Sequence, residues 1–285
     1  MNRPLADIIR QRYSCRAYRA TPLEAGARRH LEDILAENTV GPLGTRCRFA
    51  LLAASPHDAQ ALRGLGTYGF VKGATAFLVG VAGSGRRNLE DYGYLMERAV
   101  LEATDLGLGT CWLGGTFSRS RFAQRIRPGV GEVMPAVVAA GYPLERAHDP
   151  IRAHAGSSRR LSAGELFWSE RPGVPLPPGV AGSYAHILEL VRWAPSASNK
   201  QPWRLIGTEG AWHFHLKRQK GYGKGSLLFA LTRIADLPRV DLGIAMCHFE
   251  LAAREAGLSG RWALLNSEPL TPDASLEYTV TWLCS

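Results

Sequence analysis

The chain has 285 residues, of which 46% are hydrophobic and 21% charged, the balance of an ordinary soluble protein with material for one large core or two smaller ones. Its formal charge of +9 and pI near 9.6 attract anions, but no long run of Lys or Arg appears such as a nucleic-acid arm shows. Five scattered cysteines without a CxxC pair speak against a disulfide framework and a zinc site; the start lacks a signal-peptide h-region and the apolar runs are strand-length, so a cytoplasmic protein without membrane or nucleic-acid partners is expected.

Pro4 to Arg12 reads as a short amphipathic helix with Leu5, Ile8 and Ile9 on one side. RYSCRAY follows it. In an extended segment Arg12, Ser14 and Arg16 share a face, so two guanidinium forks and a hydroxyl converge, a set that suits phosphate; taken alone, RxSxR is more often a solvated turn. Leu23 to Glu37 is a second helix. Phe49 to Ala54 and Ala76 to Ala82 are buried strands, with a helical turn at 56–63 and a glycine-rich approach, GTYGFVKGA, between them. A long helix begins at Asn88 or Leu89 and ends at Leu106, with Gly107 as C′ cap. The segment LGLGTCWLGGTF then supplies Gly107, Gly109, Gly114 and Gly115, and is expected to lay backbone N–H groups bare against a flat ligand. It lacks the GxGxxG spacing of a dinucleotide fingerprint. Ala136 to Tyr142 is a further strand.

Residues 146–182 are rich in Pro, Gly, Ser and Arg and connect two halves; Arg159 and Arg160 precede a short helix and are candidates for an anion. A helix ending near Trp193 leads into APSASNKQPW. Pro195 and Pro202 forbid helix there, so Ser196, Ser198, Asn199 and Gln201 crowd into an ordered loop whose amides and hydroxyls face whatever lies beside it. Strands at 204–207 and 212–216 follow. His213 and His215 alternate in the second, but no third ligand stands at metal spacing. A loop at 221–225, a helix from Val240 to Ala256 and a strand from Tyr278 to Leu283 complete the chain.

An internal repeat runs through it. Asp91, Gly93, Met96, Leu101, Ala103, Gly107, Leu108 and Trp112 recur as Asp241, Gly243, Met246, Leu251, Ala253, Gly257, Leu258 and Trp262, every pair 150 residues apart. VGPLGTRCRFALL stands where APSASNKQPWRLI stands in the second copy, and it lacks the amides. Duplication of a homodimer's subunit would reproduce the two-fold contact inside one chain. The expected units are 1–155 and 156–285.

Taken together, RYSCR with Tyr18, GLGTCWLGG and PSASNKQPW resemble the FMN-dependent nitroreductase family, and the order of the motifs resembles its fused, two-repeat branch. The resemblance implies an α+β fold, internally duplicated about a pseudo-two-fold, with antiparallel-dominated sheets flanked by helices. It further implies FMN as cofactor. Arg12 and Ser14 would hold the phosphate, with Arg160 adding charge, and Arg16 would lie near the ribityl chain and pyrimidine edge. Pro195, Ser196, Asn199 and Gln201 would come from the other copy to the ring and ribityl hydroxyls. Gly114 and Gly115 would lie near N5, where members often carry a glutamate in place of Gly114. The implied activity passes hydride from NAD(P)H to a small acceptor such as a nitroaromatic or quinone, with the flavin carrying the chemistry and no catalytic side chain or metal. A flavin-binding protein for storage or sensing is the alternative. One flavin site per chain is expected, and a monomer would suffice as an internal pseudo-dimer.

Overall fold

The structure, a computed structural model, describes residues 1–55, 62–144, 159–177, 179–219, 234–266 and 275–285. The chain divides into two units, Met1–Gly156 and Ser157–Ser285. The expected turn at 56–63 falls largely outside the described residues, and so do the loop at 221–225, most of the connector before Arg159 and the expected boundary at 155/156.

In the first unit, helices α1 (Leu5–Gln11) and α2 (Ala25–Glu37) precede strands β1 (Cys47–Ala53) and β2 (Ala76–Ala82); helix α3 (Asn88–Asp105), strand β3 (Gly109–Leu113), helix α4 (Arg119–Ile126) and strand β4 (Val137–Gly141) follow. The sheet runs β1-β2-β4-β3, antiparallel throughout. Helix α3 is buried nearly all round, its carboxylates Asp91 and Glu97 included, each of which accepts hydrogen bonds from the chain around it. At Gly80 of β2 a Cβ would lie 2.2 Å from the Phe49 ring, so glycine is what lets Phe49 pack on Tyr92 of α3. The opposite face of β2 and β4 presents Phe77, Val79, Val81, Val137 and Ala139, closed by Phe117 and by Phe122 and Ile126 of α4.

The second unit opens with helix α5 (Ala163–Leu166), strand β5 (Phe167–Ser169) and helix α6 (Ala185–Arg192). Strands β6 (Trp203–Thr208) and β7 (Ala211–Lys217), helix α7 (Leu237–Glu255) and strands β8 (Gly260–Ala263) and β9 (Leu276–Cys284) complete it. The order is β5-β6-β7-β9-β8, with β5 parallel to β6 and the rest antiparallel. Phe249 of α7 is the hub of the core, with Phe214 and Trp282 edge-on at 5.3 and 5.8 Å.

Leaving β5 aside, β6-β7-β9-β8 has the connectivity of β1-β2-β4-β3, with the long helix between second and third strands in each unit. The repeated residues do the same work in both. Gly107 (φ +78°) and Gly257 (φ +72°) end the long helices in the left-handed region. Beyond them Leu108 N–H bonds Ala103 O and Leu258 N–H bonds Ala253 O, both at 2.9 Å, a Schellman closure. The indoles of Trp112 and Trp262 donate to helix carboxylates, Glu97 at 2.8 Å and Glu250 at 2.6 Å.

The fold is thus α+β with antiparallel-dominated sheets flanked by helices, as expected. Helix α4 and strands β5 and β8 were not foreseen. The glycine segment is corrected: Gly109–Leu113 is not a bare loop but a strand paired to β4, and only Gly114 and Gly115 lie beyond it, in a bend.

Candidate functional site

The RYSCR segment is fixed by what surrounds it. Arg3 bonds Asp105 (2.8 Å) and Thr104 O (2.9 Å), tying the start of the chain to the end of α3. Helix α1 closes with Arg12 N–H to Ile8 O at 2.9 Å, and Arg12 turns extended (ψ 129°). Ser14 then bridges Thr110 of β3 in parallel; Cys15 N–H donates to Thr110 O at 2.8 Å. From the other side Lys72 N–H bonds Arg16 O (2.8 Å) and Tyr18 N–H bonds Lys72 O (2.9 Å). Cys15 points into the core, 1% exposed, and alternation about it turns Ser14 and Arg16, both half-buried, the other way.

Two glycines make this possible. A Cβ at Gly109 would stand 2.9 Å from Cys15 Sγ, and one at Gly73 would stand 2.4 Å from Tyr18 O, with Gly73 already at φ +74°. The glycine-rich stretches therefore serve the arginine segment by letting its backbone approach.

Arg12 is half-buried; burial pulls its pKa below the usual guanidinium range, and the negative charge of nearby Glu97 opposes that pull. Arg16 reaches back to Ser14 O (3.4 Å) and lies 5.3 Å over the Phe70 ring. The Nε atoms of Arg12 and Arg16 are buried with no hydrogen-bond partner among the described residues. Buried donors of this kind are costly until an acceptor arrives. Gly114 is half-buried and Gly115 exposed, just past the buried end of β3.

In the second unit, Arg160, Pro195, Ser196, Asn199 and Gln201 come together in one clasp. Ala197 N–H donates to the Asp241 carboxylate of α7 at 3.0 Å. A short 3-10 turn spans Ala197–Asn199, and Ser198, Asn199 and Gln201 all have positive φ (51°, 54° and 47°). Asn tolerates that region; Ser and Gln do so only where the surroundings insist. What insists is a set of side-chain bonds. Gln201 N–H donates to Ser196 Oγ (2.9 Å), Gln201 Oε1 accepts from Leu161 N–H (2.9 Å), and Gln201 Nε2 donates to Asn199 O (3.1 Å). Asn199 Oδ1 accepts from Arg160 (2.8 Å) and its Nδ2 donates to Arg159 O (2.6 Å), while Arg160 also reaches Ala194 O and Trp193 O, both at 3.0 Å.

Gln201 is 2% exposed with its amide committed at both ends, and Arg160 is turned toward the loop's carbonyls. Sequence reasoning named these residues but missed the partners that order them, Asp241, Leu161 and the Arg159 carbonyl. Asp241 stood in the 150-residue repeat with no role attached. Its counterpart Asp91 accepts from Leu43 N–H and Thr45 N–H, both at 2.8 Å, and so holds the amide-free loop of the first unit in the same manner.

His213 donates or accepts at both ring nitrogens, to Thr281 Oγ1 (2.8 Å) and Thr208 Oγ1 (3.1 Å), and burial together with the neighbouring His215 lowers its pKa to about 4. No cluster of three metal-ligating side chains occurs among the described residues, and among them no helix is long and apolar enough to cross a membrane.

A family model described as "Putative TM nitroreductase" matches residues 4–253. The chain belongs to this nitroreductase family. No curated protein matches the sequence. Among solved structures, a putative nitroreductase of Thermotoga maritima aligns over 99% of this chain and 94% of its own at 20% identity, with a TM-score of 0.62, and so shares the fold. A putative nitroreductase of Desulfovibrio desulfuricans, solved in complex with FMN, aligns over 62% of this chain and all of its own at 22% identity and a TM-score of 0.45. A nitroreductase family protein of Clostridium novyi covers 52% of this chain and 90% of its own at 19% identity and a TM-score of 0.39.

Proposed function

We propose that this nitroreductase-family chain is an FMN-dependent oxidoreductase that takes hydride from NAD(P)H and passes electrons to a small acceptor such as a nitroaromatic or quinone. We further propose that it arose by duplication, residues 1–155 and 156–285 being two nitroreductase-like repeats, and that it holds one flavin. The observation that carries the reading is the arginine segment of the first unit: two guanidinium groups with buried Nε donors left without a described acceptor, beside a serine, on backbone fixed from both sides. That donor set fits a phosphate and a ring carbonyl.

When bound, FMN supplies the hydride-accepting ring, and the protein contributes position and electrostatics. Arg12 and Ser14 would hold the phosphate, the negative charge of nearby Glu97 opposing the effect of burial on Arg12. Arg16, held over Phe70, would offer positive charge to the flavin's pyrimidine edge. Gly114 and Gly115 keep the space beyond β3 free of side chains. In the second unit, Arg160, Asn199 and Gln201 hold the strained loop in place through their bonds to one another and to the neighbouring carbonyls. No side-chain nucleophile is required.

Anaerobic titration of the purified protein tests this. Bleaching of the flavin band by NADH or NADPH, and its return on adding a quinone or nitroaromatic, is the expected result. Flavin that neither nucleotide bleaches would leave a binding protein without turnover, and colourless protein that takes up no added FMN would end the flavin reading.

A further inference from the structure

In the first unit the turn that carries Phe70 is stitched to the start of α4. Phe70 N–H donates to Thr67 O at 2.9 Å and Thr67 Oγ1 donates to Val71 O at 3.0 Å, which fixes Phe70 under the Arg16 guanidinium. Just before this turn, Gly66 N–H donates to Ser118 Oγ at 3.0 Å, and Ser118 N–H returns a bond to Gly66 O at 2.9 Å. Ser118 immediately precedes α4 and closely follows Gly114 and Gly115. The glycines past β3 and the Phe70 turn therefore meet at one point.

Beside that stitch stand three exposed arginines, Arg63, Arg121 and Arg125. Arg121 lies across Gly64, where a Cβ would stand 3.5 Å from its Nη1 and where a φ of +83° favours glycine. One turn further along α4, Arg125 donates to Arg63 O at 3.4 Å. Arg119 of the same helix is engaged elsewhere, on Met134 O and 5.1 Å over the Phe117 ring. Like charges at i and i+4 cost a helix stability, and elsewhere on the surface Arg28, Arg48 and Arg254 each pair with a glutamate. Helix α4 has no acidic residue, and among the described residues Arg121 and Arg125 pair with no carboxylate. Two neighbouring guanidinium forks without a counter-ion match a phosphate in charge and geometry.

We propose, on the flavin reading above, that this cluster makes the chain selective for NADPH over NADH, with Arg121 and Arg125 holding the 2′-phosphate of the hydride donor. The nicotinamide has to reach the flavin ring, whereas the 2′-phosphate sits on the adenosine at the other end of the donor and is the one group by which NADPH differs from NADH. Cations that tell the two apart therefore belong away from the ring, at the far end of a surface that begins beside it. The run from Phe70 and Gly115, through the paired Gly66 and Ser118, to Gly64 and the arginines has that order. Arg63 adds a third charge at the same place, on a chain whose formal charge of +9 draws anions.

Isothermal titration of the full chain with 2′,5′-ADP, the phosphate-bearing fragment of NADPH, and with 5′-AMP tests the site independently of turnover. Saturable binding of 2′,5′-ADP is expected, about tenfold or more tighter than that of 5′-AMP. The double variant Arg121→Ala, Arg125→Ala should weaken it about tenfold or more, with melting temperature confirming that the variant folds. In steady-state assays of the flavin-loaded chain, the same variant should raise the ratio of the KM for NADPH to the KM for NADH by about tenfold. Equal affinity for the two fragments, unaltered 2′,5′-ADP binding by the double variant, or a KM ratio that does not move would each overturn the proposal. Flavin that neither nucleotide bleaches is the separate failure of the oxidoreductase reading, and the titration then still decides whether Arg121 and Arg125 hold the phosphate.

Discussion

The two units share a framework and differ in nearly everything hung upon it. Both have the same four-strand connectivity, a long buried helix closed by a left-handed glycine, and an aspartate of that helix that accepts from the backbone of the loop before the first strand. Among the described residues, only the first has an arginine segment clipped to its third strand, and only the second has the loop of hydroxyls and amides. The sheet faces differ as well. Phe77, Val79 and Val81 under α4 in the first unit contrast with a second-unit strand whose His213 and His215 bond Thr281, Thr208 and backbone. Parts needed to close a core occur in both units, whereas the arginine segment and the amide loop each occur in one, the pattern that the proposed duplication with a single flavin would leave.

The sharpest way to break the comparison is to remove a group that only one unit has. Arg12→Ala should lower flavin affinity by about ten- to a hundredfold, since a charge-assisted bond to phosphate contributes about 1.5–3 kcal/mol. Thr45→Ala, in the amide-free loop of the first unit, should leave affinity unchanged. Equilibrium dialysis of FMN against both variants measures this.

Next come the shared aspartates. Asp91→Ala and Asp241→Ala each strand backbone N–H groups and should destabilise by about 2–3 kcal/mol in chemical denaturation. Flavin release should accompany only Asp241→Ala. If both variants lost flavin alike, the two loops would be functionally equivalent and the asymmetry would be wrong.

Acid should separate the units too. His213 has a folded-state pKa of about 4 against an ordinary value of 6.5, so the unfolded chain takes up the proton first. The stabilisation is present above pH 6.5 and is lost as pH falls toward 4, by about 3 kcal/mol in all. Hydrogen exchange should show β7 and β9 losing protection over that range while β2 and β4, which carry no histidine, keep theirs, and His213→Gln should flatten the dependence. The smallest effect is a symmetric one. Gly107→Ala and Gly257→Ala should each cost about 1 kcal/mol, and about equally, because both glycines occupy the same left-handed position.

The framework was legible because it is written in periodicity. The long helices, the buried strand at 76–82 and the glycine caps all follow from spacing that local physics enforces, and the 150-residue register of Asp, Gly and Trp survives in the shared closures. What escaped notice depends on tertiary partners. Helix α4 shows only Phe122 and Ile126 as apolar signal among arginines, and β8 and β5 are too short for alternation to speak. Gly109 read as loop, since glycine is poor in strands, until Cys15 took the space a side chain would need. The clasp joins Arg160 to Asn199 across 39 residues of sequence, a pairing that no residue pattern announces. The candidate residues were therefore nameable from motifs, but the bonds by which Arg160, Asn199 and Gln201 hold the loop were not.

The most direct measurement is the flavin content of the purified, FMN-saturated chain, from flavin absorbance against amino-acid analysis. A ratio near one FMN per chain is predicted for a molecule with a single arginine segment and a single amide loop. A ratio near two would mean that the amide-free loop still serves a second flavin, and would contradict the account.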